Sequence, residues 1–450
     1  MNHPDNPAIA LPRYKGLDWA RARLPQQTQA WAQADHQSLG EENNDLHKLA
    51  AGLADSLDTW RWPKRPLYFF SDLHADADAF ADSLVASGGV KKTGPNPDDF
   101  RLTADGRKAC FIIGGDCFDK GPSNLALLRS LKHLIEQGAR VRILAGNHDV
   151  RLLLGMRALD YPDDIRNCHF FVRLGHKLIP LLCEIRDEYL SGKNALSGIP
   201  GESECRRRLL PPEHWAQEFQ AIASEVLTPK ECQRELARIS KKSRRFEKDC
   251  AEAGLDMRTV YAVALKWHEL FLSPQGEFAW FFKRMRLAYR AGSFLFVHAG
   301  LDDDIAAYMR RQRVKDLNLR FKAALEDQPF QLYYGSLANV VRTKYRKVDK
   351  PLSPQGRLDI AENGIHAIVH GHRNLMHGQR LMMRRGVLNF ECDASVDRNT
   401  RKKEGLDGYG AAVTIVHPRG QVLGISSDHP YIKVFEPAAT LAYLRSITQA

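Results

Sequence analysis

Five short polar motifs, each directly beside an apolar run, constrain this 450-residue chain more than any other feature. Polar residues that follow buried strands meet at one edge of a sheet, which is where ligands bind in α/β folds. The motifs supply carboxylate, carboxamide and imidazole groups, all of which can ligate metal ions. They are Asp72-Leu73-His74, Gly115-Asp116-Cys117-Phe118-Asp119, Gly146-Asn147-His148-Asp149, His298-Ala299-Gly300 and Gly371-His372.

Strand and helix patterns alternate around the first three motifs. Short apolar runs at residues 67–71, 110–113 and 141–144 predict buried strands. Apolar residues at helical spacing follow the first two of these runs, at residues 76–85 and 125–135. Alternation of this kind predicts an α/β sheet with crossover connections.

Changes in pattern along the chain predict five segments. Residues 177–290 are charged, helical in pattern and poor in strand signals, so we interpret them as an inserted helical subdomain. The α/β pattern resumes after them and ends in short strands of a closing sheet. The predicted segments are an N-terminal helical extension (1–62), the first part of the core (63–176), the helical insert (177–290), the second part of the core (291–436) and a C-terminal tail (437–450).

Composition narrows the class of protein and the compartment. The formal net charge of +11 favours anionic partners, whether phosphorylated molecules, nucleic acid or acidic surfaces. The chain has no apolar run long enough to span a bilayer and no signal peptide pattern, so we expect a cytoplasmic protein with no membrane partner. Its eight cysteines form no CxxC pair, which argues against a zinc ribbon, and a disulfide framework is not expected.

The residue types in the motifs suit a metal centre. Asp72 and His74 are two positions apart, and in extended backbone such side chains face the same way and can grip one ion. Asp116 has two carboxylate oxygens and can bridge two ions. Asn147 offers a neutral carbonyl oxygen, and the adjacent His148 can then face a substrate as a proton donor.

Each motif also has an ordinary explanation when it is taken alone. An aspartate can cap a helix, Asn-His can form a turn, and a histidine at a strand end is commonly part of a hydrogen-bonded structure. Five such motifs, all at predicted strand ends, would have to coincide by accident. Taken together, they predict a pocket for two metal ions about 3.5–4 Å apart, a geometry suited to cleaving phosphate esters.

The order of the motifs (DxH, GDxxD, GNHD, HAG, GH) resembles the calcineurin-like metallophosphoesterases. Residues 115–123 and 145–149 more narrowly resemble the phosphoprotein phosphatase branch, which includes bacterial serine/threonine phosphatases and symmetrical diadenosine tetraphosphate hydrolases. The resemblance covers residues 67–154 and returns around His298 and His372, but it leaves out the extension and the insert. It implies a metallophosphoesterase-type β-sandwich flanked by helices, in four layers (α/β/β/α).

The resemblance also implies roles for individual residues. His148 would be the proton donor, held by Asp119, which would raise its pKa. A hydroxide between two ions of manganese, iron or zinc would attack phosphorus in line. The implied ligands of the first ion are Asp72, His74 and Asp116, and those of the second are Asp116, Asn147, His298 and His372.

The chain departs from the family pattern at three positions. Lys120 stands where the phosphatase branch has arginine, which keeps the charge but loses the bidentate fork. Ala75 replaces a common glycine, and Asn374 stands where many relatives have a second histidine. The predicted substrate-binding residues are Lys120, Arg342, Arg346 and Arg373, although the three arginines could also be solvated surface residues.

The leading hypothesis is a dinuclear metal-dependent phosphoesterase that hydrolyses phosphate monoesters, of the serine/threonine phosphatase type. One alternative is a dinucleoside polyphosphate hydrolase or nucleic-acid phosphodiesterase, which the basic run at residues 241–245 would serve. Nucleic acid is not favoured, because such a run is more commonly a solvated helix face. An alternative from another class is an inactive scaffold used as a binding module. The complete set of expected ligands argues against that alternative.

Overall fold

The structure is a computed structural model, and it describes residues 9–34, 46–192 and 194–448. Within these ranges the strands form a sheet of eight, a sheet of five and a two-stranded hairpin. The strands are β1 (Gln27–Ala30), β2 (Leu67–Phe70), β3 (Val90–Lys92), β4 (Phe100–Leu102), β5 (Cys110–Ile113), β6 (Arg140–Leu144), β7 (Met285–Arg286), β8 (Tyr289–Ala291), β9 (Phe294–Phe296), β10 (Ala367–His370), β11 (Arg380–Arg384), β12 (Val387–Glu391), β13 (Ala412–His417), β14 (Gln421–Ser426) and β15 (Tyr431–Phe435).

Helices cover both outer faces of these sheets and fill the region between β6 and β7. They are α1 (Trp31–Ala34), α2 (Leu46–Ser56), α3 (Ala77–Ala86), α4 (Ala104–Lys108), α5 (Asn124–Glu136), α6 (Asn147–Arg157), α7 (His169–Leu174), α8 (Ile179–Tyr189), α9 (Glu202–Leu209), α10 (Trp215–Ala223), α11 (Pro229–Glu252), α12 (Met257–Phe271), α13 (Ala279–Arg284), α14 (Asp303–Arg311), α15 (Val314–Asp327), α16 (Pro329–Tyr334), α17 (Ser336–Asn339), α18 (Pro354–Glu362), α19 (Arg398–Glu404) and α20 (Pro437–Thr448).

The strand order brings the polar motifs to one edge of the structure. The large sheet runs β1-β15-β14-β13-β2-β5-β6-β7, and its strands β2, β5 and β6 are parallel neighbours. Their carboxyl ends therefore lie side by side, and the first three motifs follow them. The second sheet runs β11-β12-β10-β9-β8, and its parallel neighbours β9 and β10 lead into His298 and His372.

Alternate residues along the central strands face two different cores. Phe69 of β2 belongs to a buried cluster with Phe296 and Val369 of the second sheet, so the two sheets pack face to face. Phe70, the next residue, belongs to the cluster that includes the flanking helices. The outer face of the second sheet is likewise covered, because Ile368 shares a buried cluster with residues of α14 and α18. The predicted four-layer α/β/β/α sandwich is confirmed.

The predicted N-terminal helical extension is only partly helical. Residues 1–8 and 35–45 of this stretch lie outside the described residues. Helix α2 lies in this stretch, but β1 adds to the edge of the large sheet, parallel to β15. Its sequence, QTQA, is polar and mostly exposed, so it carries no strand periodicity that could reveal it.

The predicted insert and tail both contain helices. Helices α8 to α13 fall within residues 177–290, apart from residue 193, which is not described, and β7 and part of β8 occupy the end of this range. Most of the predicted tail is α20, which packs against α2. The limits of the five segments stay a prediction. No helix among the described residues combines the length and apolarity needed to cross a membrane.

A buried carboxylate ties the second sheet together. Glu391, at the end of β12, is fully buried and lies within 3.0 Å of the guanidinium of Arg380 and 2.8 Å of that of Arg384. Arg373 Nη1 lies 3.7 Å from the same carboxylate. Burial alone would raise the pKa of Glu391, but His370, Arg384 and Arg380 lower it to about 2. The group is therefore ionised, and its charge is balanced by its neighbours.

We expect Glu391→Gln to lower the free energy of unfolding by about 3–5 kcal/mol, because it removes the buried negative charge that faces Arg373, Arg380 and Arg384. Urea denaturation measures this change. The matched control is Glu362→Gln, since Glu362 makes an exposed pair with Arg310 at 3.0 Å and should cost no more than about 1 kcal/mol. Equal effects of the two variants would contradict this view of the cluster.

Candidate active site

The turns that carry the motifs have unusual backbone conformations. Asp72, His74, Asp116 and His372 all have positive φ angles, between 41° and 67°. We expected Asp72 and His74 to face the same way because their backbone is extended, and this reason is wrong. A left-handed turn brings them together instead, and backbone hydrogen bonds from Asp72 N to Gly115 O (3.2 Å) and from His74 N to Asp116 O (2.9 Å) hold it.

Glycines allow the motifs to approach one another closely. A Cβ atom at Gly146 would lie 2.0 Å from Asp116 N, and one at Gly371 would lie 2.0 Å from Asp72 Oδ2. Both contacts are impossible for a larger residue. The GNHD turn can therefore pack on the GDxxD turn, and the GH turn on the DxH turn, only because these positions lack side chains.

The six predicted ligands lie together, with Asp116 at their centre. Two groups of three side chains have all their ligand atoms within 4.8 Å of one another, and Asp116 belongs to both. The nearest imidazole is that of His298, whose Nε2 lies 3.5 Å from Asp116 Oδ2. Asp72 Oδ1 lies 3.9 Å from His74 Nε2. The two groups are His74, Asp116 and His148, and Asp116, His298 and His372.

The side-chain amide of Asn147 lies between the two histidines of the second group. One of its atoms is 3.2 Å from His298 Nε2 and 2.8 Å from His372 Nδ1. Its carbonyl oxygen can thus reach the space that these imidazoles share. Asn147 opens α6, and its position follows from the end of β6.

Backbone carbonyls fix which nitrogen of each histidine faces the centre. His74 Nδ1 lies 3.2 Å from Phe118 O, and His298 Nδ1 lies 2.8 Å from Gly114 O. His372 Nε2 lies 3.0 Å from Arg342 O. In metal sites the outer imidazole nitrogen commonly donates to such a partner, which leaves the other nitrogen free for the ion. The donor set therefore fits metal ions, held by two carboxylates, one amide and three imidazoles.

Buried charge makes the centre attractive to cations. Asp72 and Asp116 are both about 2% exposed. Burial raises the pKa of Asp72, with Asp116 adding to the effect and His298 opposing it. For Asp116 the neighbouring histidines outweigh burial and hold the pKa well below its ordinary value. His298 in turn, despite its burial, has its pKa raised to about 10 by Asp116 and Asp72.

His148 and Asp119 form the predicted pair. His148 Nδ1 lies 2.6 Å from Asp119 Oδ2, which leaves Nε2 facing Asp116 Oδ2 at 3.8 Å. The expected rise in the pKa of His148 is wrong. Asp116 and Asp119 do raise it, but burial lowers it more, with a further contribution from Arg151, so the net shift is downward.

The four predicted substrate-binding residues occupy different places. Lys120 Nζ lies 2.6 Å from His74 Nε2, so its positive charge adjoins the first group of ligands. Arg342 and Arg346 line a cavity of about 640 Å³ that opens beside Asn147 and His372. Arg373 does not line this cavity, because its guanidinium donates to Lys344 O and faces Glu391.

The sequence assigns no role to Asp149, although it belongs to one of the motifs. Its buried carboxylate accepts backbone hydrogen bonds from Gly146 N (2.9 Å), Asp116 N (2.8 Å) and Cys117 N (2.9 Å). It thus joins two of the ligand-bearing turns. The signal that could have revealed it is its place three residues after Gly146, where a carboxylate can reach back to cap the start of a helix.

Residues 65–213 match the calcineurin-like phosphoesterase family, so this part of the chain is a phosphoesterase domain of that family and the chain is a hydrolase. The resemblance that the motif order indicates is confirmed at this level. The matched range contains the first three motifs. No curated protein matches the sequence of this chain.

Two groups of solved phosphatase structures show a limited likeness. A cold-active protein-tyrosine phosphatase of a psychrophilic Shewanella species is 11% identical, with 80% of this chain and 77% of that chain covered and a TM-score of 0.38. A protein serine/threonine phosphatase from Saccharomyces cerevisiae, described as similar to human phosphatase PP5, is 13% identical, with coverages of 90% and 94% and a TM-score of 0.38. Values this low do not by themselves assign a substrate.

We expect Asp149→Ala to reduce bound metal as well as stability. Three buried backbone N–H groups would lose their acceptor, at a cost of about 1–3 kcal/mol each, and the two turns would no longer be held in register. Elemental analysis of the purified protein measures the metal content.

The control for this prediction is Asp302→Ala. Asp302 is another buried aspartate, which accepts from Ile305 N (3.0 Å) at the start of α14. The Asp302→Ala variant should be less stable, because the helix loses its cap, but its metal content should not change. Full metal content in the Asp149 variant would show that Asp149 does not position the ligands.

Proposed function

We propose that this chain is a dinuclear metal-dependent phosphoesterase that hydrolyses phosphate monoesters, with a centre of the serine/threonine phosphatase type. The observation that supports this most is the convergence of six side chains from five separated motifs, with Asp116 at their centre. The family match of residues 65–213 supports the reaction class. Asp72, His74 and Asp116 would hold one ion, and Asp116, Asn147, His298 and His372 the other.

Two divalent or trivalent ions, of manganese, iron or zinc, would neutralise the phosphate charge and activate water at neutral pH when bound. The protein's own residues then have separate tasks. Lys120 adds a cation beside His74 and can bind a phosphate oxygen. Arg151, whose Nη2 lies 3.3 Å from His148 Nδ1, can do the same on the other side of the proton donor.

His148 would supply the proton that the leaving oxygen needs. Asp119 holds its Nδ1, so Nε2 is the atom that points into the site. The lowered pKa of His148 makes its proton easier to transfer once the imidazolium has formed, and the adjacent carboxylates stabilise that cation. The role is that of a general acid toward the departing alcohol.

We expect Asp116→Asn to reduce hydrolysis of p-nitrophenyl phosphate by at least about a thousandfold, because it removes charge from a ligand shared by both groups. Steady-state rates at saturating manganese measure this. Asp316→Asn, which alters an aspartate at the start of α15 far along the chain, is the control and should match wild type. An Asp116 variant as fast as wild type would refute the proposal and favour an inactive scaffold.

The proton donor can be tested through the leaving group. His148→Ala should slow hydrolysis of phosphoserine by about 10²–10⁴-fold, the usual contribution of a general acid. The loss for p-nitrophenyl phosphate should be much smaller, because nitrophenolate leaves without needing a proton. Asp119→Asn should show the same pattern in weaker form. Equal losses for the two substrates would assign His148 to metal binding instead, in line with its place in the first ligand group.

A further inference from the structure

A basic cavity lies beside the candidate metal centre, and of the residues that line it the proposed reaction uses only Asn147, Arg151 and His372. It has a volume of about 640 Å³ and reaches Asn147 and His372 at its inner end. The segment from Tyr333 to Lys350 and the insert helix α11 form its walls. This volume lies within the range of about 300–1,000 Å³ that is typical of small-molecule sites.

The charges that line this cavity are unbalanced. Eight of its lining residues are lysine or arginine, and three are carboxylates. Arg173 and Arg238 share the buried Glu235 as their partner. Arg234 and Arg342 form no close ion pair in the described part of the chain, although Glu231 interacts with both of them at longer range and Asp349 with Arg342. The eight cationic residues outnumber the three carboxylates, so the lining carries an excess of positive charge.

Ring contacts hold two of the arginines in place; Arg173 is also paired with Glu235, whereas Arg342 makes no close ion pair among the described residues. Tyr333 stacks between two of them, with its ring centroid 4.7 Å from Arg173 Cζ and 5.3 Å from Arg342 Cζ. The backbone oxygen of Arg342 also lies 3.0 Å from His372 Nε2 and can accept a hydrogen bond from it. This contact places Arg342 directly beside a candidate ligand. A guanidinium arranged in this way is preorganised for an anion and needs little reordering to bind one.

Two further observations support an excess of positive charge here. Lys242 of α11 donates a hydrogen bond to Arg173 O, and burial together with Arg151 and Arg173 lowers its pKa to about 7. Arg173 and Arg342 outweigh burial at Tyr333 and lower the pKa of its phenol to about 8. At Tyr333 the neighbouring arginines cause the shift against burial, whereas at Lys242 burial is the larger cause and the arginines add to it.

We propose that this cavity binds a second phosphate group of the substrate, so that the preferred substrates are small molecules with two phosphates. The inference rests on the proposed function, because the scissile phosphate must occupy the metal centre. That phosphate already has Lys120 and the metal ligands on the side of His74. Arg342, beside His372, and the other arginines of the cavity wall are additional, and their planar forks match the oxygens of a phosphate.

The test compares matched substrates that differ by one phosphate. One pair is a hexose bisphosphate and the corresponding hexose monophosphate, and the other is adenosine 3′,5′-bisphosphate and adenosine 5′-monophosphate. We expect kcat/KM to be at least tenfold higher for the bisphosphate in at least one pair, and the pair that shows it identifies the source of the phosphates. Equal values within both pairs, or activity confined to phosphopeptides, would overturn the inference.

Variants assign the preference to the cavity. Arg342→Ala and, separately, Arg234→Ala should reduce the preference at least fivefold, mainly by raising KM for the bisphosphate. Arg234 is exposed on α11, so its replacement should leave the thermal unfolding temperature unchanged. Arg244→Ala is the matched control, because Arg244 is exposed on the same helix, donates to Ser240 and does not line the cavity. A preference that survives in both cavity variants would contradict the assignment.

A binding measurement separates this inference from the proposed function. Titration calorimetry of the Asp116→Asn protein with a hexose bisphosphate should show at least tenfold tighter binding than with the monophosphate, and addition of Arg342→Ala should remove the difference. If wild type hydrolyses no phosphoester but this difference is present, the proposed reaction fails and the second phosphate site stands. If hydrolysis occurs but no difference appears in binding or turnover, the second site fails alone.

Discussion

The rest of the site depends on the contacts between the buried carboxylate of Asp116 and the groups around it. Three imidazoles lie within 3.9 Å of its Oδ2, those of His74, His148 and His298. Its Oδ1 accepts the backbone N–H of His148 at 2.8 Å, so the side chain also fixes the start of α6. A buried anion is costly unless positive charge surrounds it. Asp116 and Asp72 raise the pKa of His298 to about 10 despite its burial, which agrees with a place that favours a cation.

The parts of the fold that the sequence predicts are those where burial alone decides the pattern. The central strands of the large sheet are short apolar runs, so their position and their common edge can be inferred. The edge strand β1 was not predicted, because it is polar and depends on pairing with β15, about four hundred residues later. A local pattern likewise does not predict the turn at Asp72 and His74, since its left-handed conformation is held by hydrogen bonds that these residues donate to the backbone oxygens of Gly115 and Asp116.

Local sequence patterns also do not reveal which basic side chains face the site. The run at residues 241–245 looks like a solvated helix face, and most of it is exposed. Only the phase of α11 against the core decides that Lys242 turns inward to Arg173. Arg373 is the opposite case. Its position in the sequence predicts a place near the substrate, but in the structure its guanidinium faces Glu391 instead. Which charge serves a site is therefore set by tertiary packing, whereas the presence of the ligand residues is set by the sequence.

Backbone strain gives an independent reason to place function at this edge of the sheets. Ten non-glycine residues in the described part of the chain have positive φ, and seven of them belong to the motifs or directly adjoin them. Such conformations cost of order 1–3 kcal/mol each and persist only where surrounding contacts impose them. Here the contacts are the Asp149 carboxylate and the backbone bonds between the first two turns. A fold selected for stability alone would relax these turns, whereas a site that must aim several side chains at one point has a physical reason to keep them.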